Sequence, residues 1–107
     1  MIVVTTDELP GHRITAVLGE VMGLRTGTPA VSLSRAFGSI GQAESPDLTR
    51  ASYDMRRDAV NRLVAEAAAR GANAVVGLRM DTAAAEQHRE ILAYGTAVVV
   101  EPVDAGS

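Results

Sequence analysis

The chain has no cysteine, no lysine and no tryptophan, and only three aromatic residues, Phe37, Tyr53 and Tyr94, in 107. Without cysteine there is no disulfide framework, no thiolate metal site, no cysteine nucleophile and no dithiol redox motif, so a reducing compartment is permitted. With so few aromatics the core has to be built from Val, Leu, Ile, Ala and Met, whose smaller side chains suit close helix–sheet or subunit packing. Long apolar runs are missing too, and none approaches the ~20 residues of a membrane-spanning helix. The opening Ile2-Val3-Val4-Thr5-Thr6 has neither the basic flank nor the cleavage site of a signal peptide. A cytoplasmic location is expected.

Ten arginines against thirteen acidic residues leave a net charge of −3, which disfavours nucleic acid as a partner. The arginine-only usage reads as coding bias rather than as a phosphate site. Catalytic signatures are absent as well: there is no Gly-x-Ser-x-Gly and no His-Glu-x-x-His. The segment Gly23-Leu24-Arg25-Thr26-Gly27 lacks the lysine and the helix of a phosphate-binding loop.

What is present is a patterned α/β chain of one domain, residues 1–103, with residues 104–107 as a frayed tail. The β-branched start reads as a short strand, and Asp7-Glu8-Leu9-Pro10-Gly11 as a turn. Residues 13–25 alternate with apolar side chains on both faces: Ile14, Ala16, Leu18, Glu20 and Met22 on one, Thr15, Val17, Gly19, Val21 and Gly23 on the other. This predicts a long strand covered on both sides, with Gly19 and Gly23 marking a bulge or a close backbone approach. Residues 26–46 are rich in Gly, Ser and Pro and form an irregular connection.

Ser45 or Asp47 can cap a helix that runs to Arg70. Its apolar stripe is Met55, Ala59, Leu63 and Ala67, widened by Val60 and Val64, while Arg50, Asp54, Arg57, Asp58 and Asn61 point the other way. Asp58 with Arg62, and Glu66 with Arg70, are supporting i, i+4 pairs. Gly71 is the expected left-handed residue that ends the helix. A strand follows from Ala74, ended by Asp81 and Thr82. Residues 83–89 read as a polar connection, and residues 90–101 as a last strand, apolar on both faces and stopped by Pro102.

The order ββαββ leaves one helix to cover a sheet that is apolar on both sides. The uncovered face therefore predicts self-association.

Gly71-Ala72-Asn73-Ala74-Val75-Val76-Gly77-Leu78-Arg79-Met80-Asp81-Thr82 resembles the YbjQ family. So do residues 4–12, Leu18-Gly19-Glu20-Val21, and Ile91-Leu92-Ala93-Tyr94-Gly95-Thr96-Ala97-Val98. The resemblance implies an α+β subunit of two layers, dodecin-like, with one long helix on a mainly antiparallel sheet, assembled into a homopentameric ring. The family carries a label of heavy-metal binding, without an established biochemical activity. This chain departs from it in the central loop, where a Gly-rich acidic stretch is replaced by Gly41-Gln42-Ala43-Glu44-Ser45-Pro46.

Three functional classes follow. The leading one is a non-enzymatic binding or scaffolding ring with ligands at its subunit interfaces, for which Gly19, Gly71, Arg79, Asp81 and Tyr94 are the interface or structural residues. The second is binding of a divalent or heavy metal by Asp7, Glu8 and His12, which share one turn. His88, between Glu86 and Glu90, is a weaker candidate. In a ring, Glu20, Glu44 and Asp81 can converge near an axis. The third is an enzyme using Asp81 at a strand end as base or nucleophile, against the plainer reading of an Arg79–Asp81 pair or a capping Asp.

Overall fold

A computed structural model describes residues 1–27, 46–85 and 88–104. Its elements in chain order are β1 (Ile2–Val3), β2 (His12–Gly27), α1 (Pro46–Ala69), β3 (Ala74–Ala85) and β4 (His88–Pro102). The fold is α+β. One helix lies on a mixed four-stranded sheet of order β1-β3-β4-β2, in which only the β1–β3 pair is parallel.

The helix forms where the spacing predicts. Ala59, Leu63 and Ala67 are buried, and Met55, Val60 and Val64 pack around them against Val21, Val75, Ile91, Ala93 and Ala97 of the sheet. Ser45 lies outside the described residues, while Asp47 sits in the first turn, where the helix dipole favours a carboxylate. At the other end Gly71 has φ +88°. The Ala72 N–H donates to the Ala67 carbonyl at 3.0 Å and the Gly71 N–H to that of Ala68 at 3.0 Å. Those two bonds are a Schellman cap, and they turn the chain directly into β3.

Three strands extend beyond the sequence reading. β2 begins at His12 and ends at Gly27 rather than spanning residues 13–25. β3 does not stop at Asp81 and Thr82 but continues to Ala85, and β4 starts at His88 and includes Pro102. The expected polar connection over residues 83–89 is thus mostly a hairpin, with Ala83 opposite Glu90 and Ala85 opposite His88. The small alanines read as neutral in pattern, and cross-strand pairing decides their state.

Simple alternation also fails in β2. Register shifts occur between Ile14 and Ala16 and between Val17 and Gly19, and Gly19 adopts φ +101° at the second. The extra residues reset the parity. Leu18 therefore packs with Val21 under the helix, whereas Ile14, Val17, Met22 and Leu24 are all exposed. Gly23 is the close approach: a Cβ there would lie 2.1 Å from the Ala59 carbonyl oxygen and 2.4 Å from the Leu63 nitrogen. The helix backbone rests on it.

The second face of the sheet is not wholly bare. The segment after β1 returns over one end of it, where Val4 and Leu9 pack on Ala74, Val76, Val98 and Val100. The far end of that face has no such cover among the described residues. The radius of gyration is 17.6 Å, against about 13 Å for a compact chain of this length. The molecule is elongated, 61 × 25 × 17 Å.

Candidate functional site

Metal candidates Asp7, Glu8 and His12 lie in the segment that crosses from β1 to β2. The His12 N–H donates to the Leu9 carbonyl at 3.0 Å and Gly11 has φ +81°, a type II turn with Pro10 at its second position. The imidazole Nδ1 faces the Pro10 carbonyl at 3.3 Å. The Thr6 hydroxyl donates to the Glu8 carbonyl at 2.6 Å.

Among the described residues no three His, Cys, Asp or Glu side chains gather closely enough to hold a metal ion. With no cysteine to supply a soft ligand, the described donors of a single chain do not make up a heavy-metal site. His88 opens β4 rather than sitting in a loop, and Glu44 and Glu86 lie outside the described residues.

Arg79 ties the fold together. Its guanidinium donates from Nη1 to the carbonyls of Thr5 and Leu78, each at 2.8 Å. The neighbouring Gly77 and Leu78 N–H groups donate to Thr6 and Val4 at 2.8 and 3.0 Å. Together they fasten the amino-terminal segment along β3. Arg79 forms no ion pair with Asp81 among the described residues, and Asp81 is not at a strand end but inside β3, opposite Leu92. Both features that singled out Asp81 as an acid or base, or as a cap, are therefore missing.

Tyr94 lies between Met22 and Arg79 across the sheet, and Glu20 lies opposite Thr96. Alternation puts Glu20, Met22, Leu24, Arg79, Asp81, Leu92 and Tyr94 on the face away from α1. Of these expected interface or axis residues, Glu20, Arg79, Asp81 and Tyr94 therefore share one face, while Gly19 and Gly71 are backbone devices.

Two structural features escaped the sequence reading. Arg62, Glu66 and Arg70 do pair along the helix, through Asp58–Arg62 at 3.4 Å and Glu66–Arg70 at 2.9 Å. They also reach the outer backbone of β2. Arg62 donates to the Leu24 carbonyl at 2.9 Å, the Met22 N–H donates to Glu66 at 3.0 Å, and Arg70 donates to the Glu20 carbonyl at 2.8 Å. Their i, i+4, i+8 spacing was visible, but its target was not. Asp58, expected to face away, instead meets Arg25 of β2 at 3.0 Å.

The second feature is Asn73, whose side chain both donates to and accepts from the Val100 backbone at 2.9 and 2.8 Å. It extends the strand pairing by one residue.

A cleft of about 280 Å³ opens between the first half of α1 and the β3–β4 hairpin, lined in part by Ser52, Met55, Arg56, Thr82, Arg89 and Ile91. No helix among the described residues is long and apolar enough to cross a membrane.

Comparison with known proteins supports this architecture. The chain is 48% identical over 103 residues to a UPF0145 protein of Streptomyces coelicolor, covering 94% of this chain and 97% of that one. It is 44% identical over 106 residues to one of Mycobacteroides abscessus, covering 96% and 99%. A crystal structure from Pediococcus pentosaceus, described as a protein of unknown function in the DUF74 family, superposes with a TM-score of 0.65 at 16% identity, over 94% of this chain and 98% of that one. That likeness concerns the fold alone. None of these names is that of an enzyme. Residues 1–101 match the YbjQ family model, described as "Putative heavy-metal-binding", and the chain belongs to that family.

Proposed function

We propose that the chain acts as a non-enzymatic binding or scaffolding protein, assembled in the cytoplasm as a dodecin-like homopentameric ring with ligands held between subunits. The observation that carries this reading is an exposed apolar stripe along β2. Ile14, Val17, Met22 and Leu24 are exposed, Val17 to 67%, and strand register puts all four on the face away from the helix.

Unpaired backbone accompanies that apolar stripe. β1 and the segment after it occupy the outer edge of β3 only as far as Leu78, so residues 80–85 have no strand beyond them among the described residues. On the opposite side of the sheet, residues 13–17 of β2 are likewise open. Exposed strand edges are templates for pairing with another chain. These two face opposite directions at opposite ends of the sheet, which suits a head-to-tail contact that closes into a ring.

Native mass spectrometry of the purified chain tests this. Five copies of the 11.1 kDa chain are expected to travel as one species of about 55 kDa, with any retained ligand seen as added mass. A clean monomer at about 10 μM would overturn the assembly.

A second reading is metal binding at a contact between copies. Asp7, Glu8 and His12 lie beside the open end of β2, so a neighbouring copy can complete a set that one chain does not supply. Calorimetric titration with zinc, copper and nickel is expected to show saturable heat in the assembled protein and none in His12→Ala. Equal heat in both would remove His12 from the ligand set.

A further inference from the structure

We infer that the cleft between the first half of α1 and the β3–β4 hairpin binds a small organic anion, a carboxylate or phosphate ester carrying an apolar body. Ser52, Met55 and Arg56 approach it from the helix at i, i+3 and i+4, one side of the helical surface. Thr82 and Arg89 approach from the sheet, with Ile91 beneath. Met80 is opposite Ala93, Thr82 opposite Ile91 and Ala84 opposite Arg89. Ala93 is fully buried in the core beneath α1, so alternation turns Thr82, Ala84, Arg89 and Ile91 toward the helix as well. Ala83 and Glu90, paired with each other, alternate to the other face of the strands but still border the cleft.

The arginines separate into two groups. Arg13, Arg25, Arg62 and Arg70 each form an ion pair, and Arg79 is bonded to two carbonyls. Arg50, Arg56, Arg57 and Arg89 have neither an ion pair nor a hydrogen bond among the described residues, and of these Arg56 and Arg89 line the cleft. They flank one concavity in company with two hydroxyls, those of Ser52 and Thr82. A guanidinium presents several donors in a planar fork and stays charged at all relevant pH, so two of them across a narrow cleft suit a planar or tetrahedral oxyanion. Met55 and the nearly buried Ile91, 7% exposed, form an apolar floor that free phosphate would leave uncovered. The arginine-only composition, unremarkable as a count, is informative in placing two arginines without a partner at one cleft.

The assignment rests on one chain's own residues and is independent of the ring. Backbone amide shifts of the intact protein, titrated with phenyl phosphate, phenylacetate and inorganic phosphate, test it. The two aryl anions distinguish the phosphate from the carboxylate source. Saturable shifts confined to residues 52–56, 82–84 and 89–91 are expected for at least one aryl anion, with Kd below about 1 mM. Arg56→Gln and Arg89→Gln should each weaken binding about tenfold, and added salt should weaken it further. Shifts that fail to saturate by about 10 mM, or that are equally produced by benzyl alcohol, would overturn the inference. So would binding unchanged in both variants, or inorganic phosphate binding as tightly as the aryl anions. The variants are also weighed by native mass spectrometry: a lower assembled mass would show the cleft to be a subunit contact and would likewise overturn the ligand site.

Discussion

The two halves of β2 have the same partner, β4, and opposite fates. From Leu18 onward the strand is covered by α1, its Gly23 touches the helix backbone, and its outer edge at Glu20, Met22 and Leu24 is occupied by Arg70, Glu66 and Arg62. From His12 to Val17 it is paired on one side only and its apolar residues face solvent. The cause is a mismatch of lengths. A helix of 24 residues spans about 36 Å, whereas a strand of 16 spans about 53 Å. One helix cannot cover such a strand end to end, so one half is covered on its helix face and outer edge, with Met22 and Leu24 exposed on the other face, and the other half is left for something else.

The comparison breaks most completely at Gly23. Gly23→Ala puts a methyl into the helix backbone, and urea unfolding should show a loss of more than about 3 kcal/mol, or no folded protein. Leu63→Ala empties the largest buried side chain of the closed half and should cost about 2–5 kcal/mol. Glu66→Ala releases both the Met22 N–H and Arg70. Because the site is partly exposed, about 0.5–1 kcal/mol is expected in urea unfolding, along with faster aggregation on heating through the freed edge. Val17→Lys should leave the unfolding of the isolated chain within about 0.5 kcal/mol yet lower the assembled mass. If Val17→Lys instead left both the unfolding and the assembled mass unchanged, the open half would be ordinary surface.

The closed half was largely legible in the sequence. Helical periodicity names Ala59, Leu63 and Ala67, the glycine after Arg70 names the cap, and the two glycines of β2 mark a bulge or a close approach, of which the structure has one at each. What the sequence did not carry was parity. Two inserted residues in β2 move Leu18 to the helix side, and a bulge between Val76 and Arg79 does the same for Leu78. Alternation counted from residue 13 assigns faces wrongly because a bulge leaves no mark in hydrophobicity. Asp81 was misplaced for a related reason. A polar residue at the end of an apolar run reads as a stop, but its pairing with Leu92 continues the strand. The bonds from Arg62, Glu66 and Arg70 to β2 join residues about forty to fifty positions apart, a separation at which side-chain spacing is silent.

The Schellman cap at Gly71 has a consequence for how the chain acquires its shape. By closing the helix within two residues and passing through Asn73, whose amide is bonded to Val100, it brings β3 and β4 into alignment with almost no slack between helix and sheet. The β3–β4 hairpin and the helix are close in sequence, so they can dock early as a unit of low contact order. β2 must arrive from the far side of residues 28–45, and its docking closes the longest loop. Folding is then expected to end where the exposed stripe begins, which leaves the half of β2 beyond the helix as the last surface to find a partner.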